Sequence, residues 1–148
     1  MTSDTRPLAI VTGASSGIGY ELAQCCAEQR VDLLIAADQP ALHNTAQAFR
    51  MLGAAVEAIE ADLATLEGVG RLYAAAKGRP VEALLANAGH GLGHAFQDFN
   101  TVRHIIDTNI TGTIYPIQKV GKVLLQKLPS DCLPLEASLL CCDPEHLS

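Results

Sequence analysis

Thr12-Gly13-Ala14-Ser15-Ser16-Gly17-Ile18-Gly19 follows the apolar run Leu8-Ala9-Ile10-Val11 and precedes a stretch, residues 21–28, with helical spacing. The run before it has the length and β-branching of a buried strand, so the local order is strand, tight turn, helix. Each glycine then has a separate task. Gly13 lets the chain reverse at the strand end, Gly17 removes a Cβ from the path of an approaching anion, and Gly19 lets helix and strand pack closely. Free N–H groups at the helix start, with the positive end of its dipole, suit a pyrophosphate. The bland alternative is a Gly/Ser-rich turn that only joins strand to helix.

Working outward from that turn, the first helix is expected over 18–29, with Leu22, Cys25 and Cys26 facing inward. A second strand covers 33–36. The next helix covers 40–52, with Pro40 near its start and Gly53 just past its end, the usual asymmetry. A third strand at 56–59, a helix at 65–77 stopped by Gly78, a fourth strand at 81–86 and a helix from Thr101 onward complete the alternation. Such a rhythm implies right-handed βαβ crossovers and a parallel sheet, here in the order 3-2-1-4, within a three-layer, doubly wound α/β fold.

The 148 residues suit one domain, which can bury roughly 68–70% of its unfolded surface. A net charge of −6, with 18% charged residues, argues against nucleic-acid or anionic-membrane binding through basic patches. No signal segment opens the chain and no apolar run is long enough to span a bilayer, so a cytoplasmic protein is expected. The five cysteines, Cys25-Cys26, Cys132 and Cys141-Cys142, fit neither a CxxC site nor an even disulfide framework and read as reduced thiols.

The spacing of TGASSGIG departs from the G-x-G-x-x-G fingerprint. It resembles instead the cofactor turn of the short-chain dehydrogenase/reductase family, whose Rossmann-like fold binds NAD or NADP. The resemblance implies that Gly13, Ser15, Ser16, Gly17, Ile18 and Gly19 hold the cofactor. Asp38, about twenty residues on and just after the second strand, can accept from the adenosine ribose and repel a 2′-phosphate, so NAD is expected before NADP. It falls one place later than the commonest acidic position, and a surface aspartate before Pro40 is the alternative. Asp62-Leu63 look like the pair that flanks the adenine, although Asp62 also suits a helix N-cap. Asn87-Ala88-Gly89 resembles the family's Asn-Asn-Ala-Gly, with Ala86 in place of the first asparagine. Asn109, in Thr108-Asn109-Ile110-Thr111-Gly112, matches the helical Asn-x-x-Gly whose asparagine belongs to the catalytic set and helps hold a water beside the catalytic lysine. An asparagine holding a helix kink is the alternative there.

The resemblance runs over about 7–125, which makes 1–128 an incomplete dinucleotide-binding domain, ending after a fourth or fifth strand, and 129–148 a divergent tail. That tail, through Pro144, has three of the seven prolines and three of the five cysteines. In the family a Ser and a Tyr-x-x-x-Lys pair follow, because hydride transfer needs a phenol to move the proton and a lysine to lower its pKa from about 10. Two such strings occur, Tyr73 to Lys77 and Tyr115 to Lys119, and both come too early. Ser138 lies near the family's spacing from Asn109, but Pro134 and Glu136 before it do not resemble a buried strand. His90, His94 and Asp98 have a spacing that could bind zinc on a helix; the glycines among them make a loop, and no metal is expected. Pro116 implies a kink or damage in its helix. The resulting expectation is an oxidoreductase of the family type, acting on alcohol or carbonyl substrates, whose catalytic pair is missing here. The alternatives are a non-catalytic NAD(P)-binding or regulatory module and a structural protein with a vestigial turn. The fourth strand, left as an edge, is expected to promote self-association.

Overall fold

The computed structural model describes residues 6–91 and 98–125. Four strands, β1 (Leu8–Thr12), β2 (Asp32–Ala37), β3 (Val56–Glu60) and β4 (Val81–Leu85), form one parallel sheet ordered β3-β2-β1-β4. The helices are α1 (Gly17–Glu28), α2 (Ala41–Met51), α3 (Leu66–Ala76), α4 (Phe99–Ile106) and α5 (Gly112–Leu125), with a π-helical turn, Asp107–Thr111, between the last two. The fold class and strand order are those expected from the sequence.

Period-two alternation in the inner strands explains the three layers, since successive side chains leave opposite faces. Ala9, Val11, Leu33, Ile35 and Ala37 face Ala23, Ala27, Leu42, Ala46 and Phe49 on one side. Leu8, Ile10, Leu34 and Ala36 face Val69, Leu72, Ala76 and Val120 on the other. Every residue of β1 is buried. Such residues give roughly 1.5–3 kcal/mol for each fully buried large aliphatic side chain, so β1 is the axis of the core. β4 has β1 as its sheet neighbour, and among the described residues its other edge carries no strand; Glu82 and Ala83 are exposed.

Three expectations about the helices need correction. Cys25 is exposed, whereas Leu22 and Cys26 do pack against the core, half-buried, beside the fully buried Gly19, Ala23 and Ala27 of α1. Ala23 and Ala27, four residues apart, let this helix lie close on the sheet, so the larger side chains stand at its flanks. Pro116 lies inside α5, but the irregularity falls one turn ahead of it, in the π turn. Helix α4 starts two residues earlier than expected because the Asp98 carboxylate accepts from the Asn100 and Thr101 N–H groups.

Candidate functional site

The strands' C-terminal ends open into a cleft of about 380 Å³, within the roughly 300–1,000 Å³ usual for ligand sites. Its floor is the glycine turn. Gly13 and Gly17 adopt φ of +69° and +58°, the left-handed region in which a side chain is strained. A Cβ on Gly13 would stand 2.9 Å from Cα of Ala88, so the turn is pressed against the loop after β4. A Cβ on Gly17 would meet no atom within 4 Å, because that position faces the open cleft. Gly19 lies behind the turn: a Cβ there would run into the Gly13 carbonyl and the Asn87 amide. It is thus the turn and the β4 loop, rather than the strand itself, that Gly19 lets α1 approach.

The loop after β4 is stitched to β1 through Thr12, which is 1% exposed. Its hydroxyl oxygen accepts from the N–H groups of Asn87 and Ala88 at 2.9 and 3.0 Å, and its carbonyl accepts from the Asn87 amide at 3.3 Å. Gly13 N–H donates to the Ala36 carbonyl at 2.7 Å, fastening the turn to β2. The ends of three adjacent strands are therefore held in fixed relation around the cleft.

At the start of α1 the N-cap Ser16 makes no side-chain capping bond, and the first turn has no acidic residue. Its leading N–H groups thus lack the side-chain acceptors that commonly satisfy them. Ser15, Ser16, Gly17 and Ile18 line the cleft beside them, as do Asp38 and Gln39 from β2's end. Ser15 Oγ reaches Gln39 Oε1 at 3.5 Å. From the opposite side come Asp62 and Leu63 after β3, and Asn87, Ala88 and Gly89 after β4.

Asp62 does not cap α3. Its Oδ1 accepts from Ala64 N–H at 2.9 Å within the loop, while the N-cap is Thr65, whose Oγ1 accepts from Gly68 N–H at 3.0 Å. Leu63 is buried, and its carbonyl would be 2.6 Å from a Cβ on Gly112, which lets α5 begin against this loop. Asn109 stands in the π turn behind the cleft. Its Oδ1 accepts from His90 N–H at 2.8 Å and its Nδ2 donates to the His90 carbonyl at 3.0 Å, so the side-chain amide clamps one backbone unit of the β4 loop.

Every residue expected from the sequence to touch a cofactor lines this cleft except Gly19, which shapes its floor. Sequence reasoning missed Thr12, Thr108 and His90. Thr12 closes the strand run and opens the turn motif, which was a usable signal. Thr108 and His90 had none, since only the fold brings them to the cleft. Ser138 and His94 lie outside the described residues, and Asp98 is spent on capping α4.

Both Tyr-x-x-x-Lys strings lie elsewhere. Lys119 Nζ sits 5.2 Å from the Tyr115 ring centroid and 6.0 Å from that of Tyr73, joining α3 to α5. Tyr73 and Lys77 border a small hollow with Val81, at the N-terminal end of β4. That is the opposite end of the sheet from the cleft.

A glycine turn leading into α1, at the C-terminal edge of a parallel sheet ordered 3-2-1-4, defines a Rossmann-type α/β domain with its cleft where dinucleotides bind in such folds. A model of the short-chain dehydrogenase family matches residues 7–129, and the chain belongs to that family. An uncharacterised oxidoreductase of Myxococcus xanthus is 38% identical over 129 residues, a match covering 80% of this chain and 49% of that protein. The structure of a short-chain dehydrogenase from Sphingobium yanoikuyae in complex with NADPH is 30% identical with a TM-score of 0.72, covering 81% of this chain and 49% of that one. The bulky-bulky ketone specific alcohol dehydrogenase of Comamonas testosteroni, 24% identical with a TM-score of 0.76 over 82% of this chain and 51% of its own, shares the fold. This chain spans about half the length of these relatives. Among the described residues no helix is long and apolar enough to cross a membrane.

Proposed function

We propose that the described residues are the dinucleotide-holding part of an oxidoreductase, and that this chain binds the cofactor without turning over an alcohol or carbonyl substrate. The observation that carries the binding is the head of α1. Bare N–H groups, an open space above Gly17 and the absence of a first-turn carboxylate suit an anion at that point. When bound, the nicotinamide cofactor supplies or accepts a hydride. Gly13 through Ile18 would hold its pyrophosphate, Asp38 the adenosine ribose, Asp62 and Leu63 the adenine, and Asn87 to Gly89 the backbone wall beside it. Asn109 would act as a positioning residue through its clamp on His90.

NAD is preferred to NADP in this reading, and the preference rests on Asp38 alone. A carboxylate there accepts from a 2′-hydroxyl and repels a 2′-phosphate. The NADPH held by the Sphingobium relative gives it no support.

The absence of turnover rests on the tyrosines. The chain has three. Tyr20 packs against Phe49 with ring centroids 5.1 Å apart, and Tyr73 and Tyr115 flank Lys119. None of them lines the cleft, so no phenol stands ready to exchange the proton that must accompany the hydride. A non-catalytic NAD(P)-binding or regulatory role in the cytoplasm accords with this. Among the described residues β1 is the one strand paired with β4, and self-association along the other side of β4 is part of this reading.

The test is calorimetric titration of the full chain with NAD and NADP, alongside NADH and NADPH oxidation with a panel of ketones. Saturable binding, tighter for NAD, with no oxidation above background is expected. Absence of binding to either would refute the site; turnover abolished by Tyr115→Phe would refute the non-catalytic part.

A further inference from the structure

We infer that His90, reaching over the glycine turn to Asp38, determines which nicotinamide dinucleotide the site takes and makes that choice follow the charge of its imidazole. The inference deepens the proposed function and rests on the cleft being a dinucleotide site. Asp38 follows β2 and His90 follows the β4 strand, and β1 lies between those two strands. Two strand spacings, about 9.6 Å, therefore separate the ends of β2 and β4. The side chains nevertheless meet, with His90 Nε2 3.5 Å from Asp38 Oδ2, and both line the cleft.

His90 is not a loosely held surface residue. Asn109 fixes its N–H and its carbonyl, and its ring stacks on that of His104, in α4, at 5.9 Å between centroids and 29° between planes. Asp38, by contrast, makes no hydrogen bond among the described residues, so its charge is answered by His90 alone there.

Beside Ala37, the residue before Asp38, Glu60 ends β3 and pairs with His43 of α2 at 3.2 Å. Asp62, from the β3 side, lines the same cleft with one oxygen held by Ala64 N–H. The first turn of α1 presents no carboxylate. On the α4 side, Arg103 and Asp107 pair with each other at 3.8 Å, and His104 is the group stacked on His90.

Two chemical states follow. With a neutral imidazole, Asp38 remains an unbalanced carboxylate that accepts a ribose hydroxyl and repels a 2′-phosphate. With an imidazolium, the pair is neutral overall, and the carboxylate's repulsion of a 2′-phosphate is offset. An imidazole changes charge between about pH 5 and 8, so low pH should admit NADP and high pH should exclude it. The 2′-phosphate itself loses a charge on acidification, with a second pKa near about 6, which shifts the choice in the same direction without His90. A variant is therefore the necessary control.

The experiment is calorimetric titration of the full chain with NAD and NADP at about pH 5.5 and about pH 8, at low ionic strength, where exposed charges are least screened. Wild type is compared with His90→Phe, which keeps a ring against His104, and with His90→Gln should the first variant fold poorly by circular dichroism. Between the two pH values, the NADP-to-NAD ratio of dissociation constants should rise about tenfold more in wild type than in the variant, as expected for one near-surface charge pair. Equal changes in both proteins would overturn the inference and leave the dinucleotide site standing. No binding of either cofactor to any of the proteins would overturn the site and the inference together.

Discussion

Helices α1 and α3 both begin where a strand ends at the cleft side of the sheet, and both start with backbone N–H groups that have no acceptor within the helix. They meet this in opposite ways. At α3 the protein supplies the acceptor itself: Thr65 Oγ1 takes Gly68 N–H at 3.0 Å, and Glu67 adds a carboxylate to the first turn. At α1 the N-cap Ser16 makes no capping bond, no acid stands in the first turn, and Gly17 leaves open space. A helix start that is capped by its own chain is settled architecture. One that is left bare beside a cleft is available to an anion.

The largest effect on this comparison is expected at Gly19. A Cβ there collides with the Gly13 carbonyl and the Asn87 amide, which are held by the strand ends and cannot withdraw. Gly19→Ala should cost at least about 3 kcal/mol of stability, at the upper end of overpacking penalties. Chemical denaturation reads it; an unchanged midpoint would mean that α1 is not pressed onto the turn. A smaller effect belongs to the capped helix. Thr65→Ala should lose about 1 kcal/mol with no change in cofactor affinity, and a weakened affinity would mean that the α3 end also serves the ligand.

The smallest is a pH effect at the start of α4. The Thr101 hydroxyl, then the N–H groups of Thr101 and Asn100, hold the Asp98 carboxyl below the usual aspartate range. A depressed carboxylate contributes stability that is complete above the unfolded value of about 3.9 and is lost as pH falls below it through the folded one. Helical content of wild type should therefore decline slightly more than that of Asp98→Asn across that acid window. Circular dichroism of the two proteins checks the difference, and identical acid profiles would remove Asp98 as a working cap.

Much of this was legible because the information is local. Four apolar runs with turn residues between them define four strands, and the motif at residues 12–19 fixes which strand lies at the centre. Asp38, Asp62 and Asn87 are each the residue at or just past a strand's C-terminal end, so a parallel sheet brings them to one edge without further specification. Of the three side chains expected to face inward from α1, Leu22 and Cys26 pack against the core and Cys25 does not, because close packing on the sheet gives the fully buried positions to the small residues Ala23 and Ala27. Asp62 was an equally reasonable cap by residue type, and only the loop geometry gives that position to Thr65. The His90 bridge to Asp38 joins residues 52 positions apart, from strands that are not neighbours. No pattern along the chain encodes such a contact.

The anion site at the head of α1 is tested most directly by Gly17→Val. The Cβ of the new side chain meets no protein atom within 4 Å, though the residue must adopt φ near +58°, which costs about 1–2 kcal/mol or more. With folding confirmed by circular dichroism, titration with NAD should show at least about a hundredfold weaker binding, the loss of nearly 3 kcal/mol of phosphate contact. Affinity equal to that of wild type in a folded Gly17→Val protein would contradict the account.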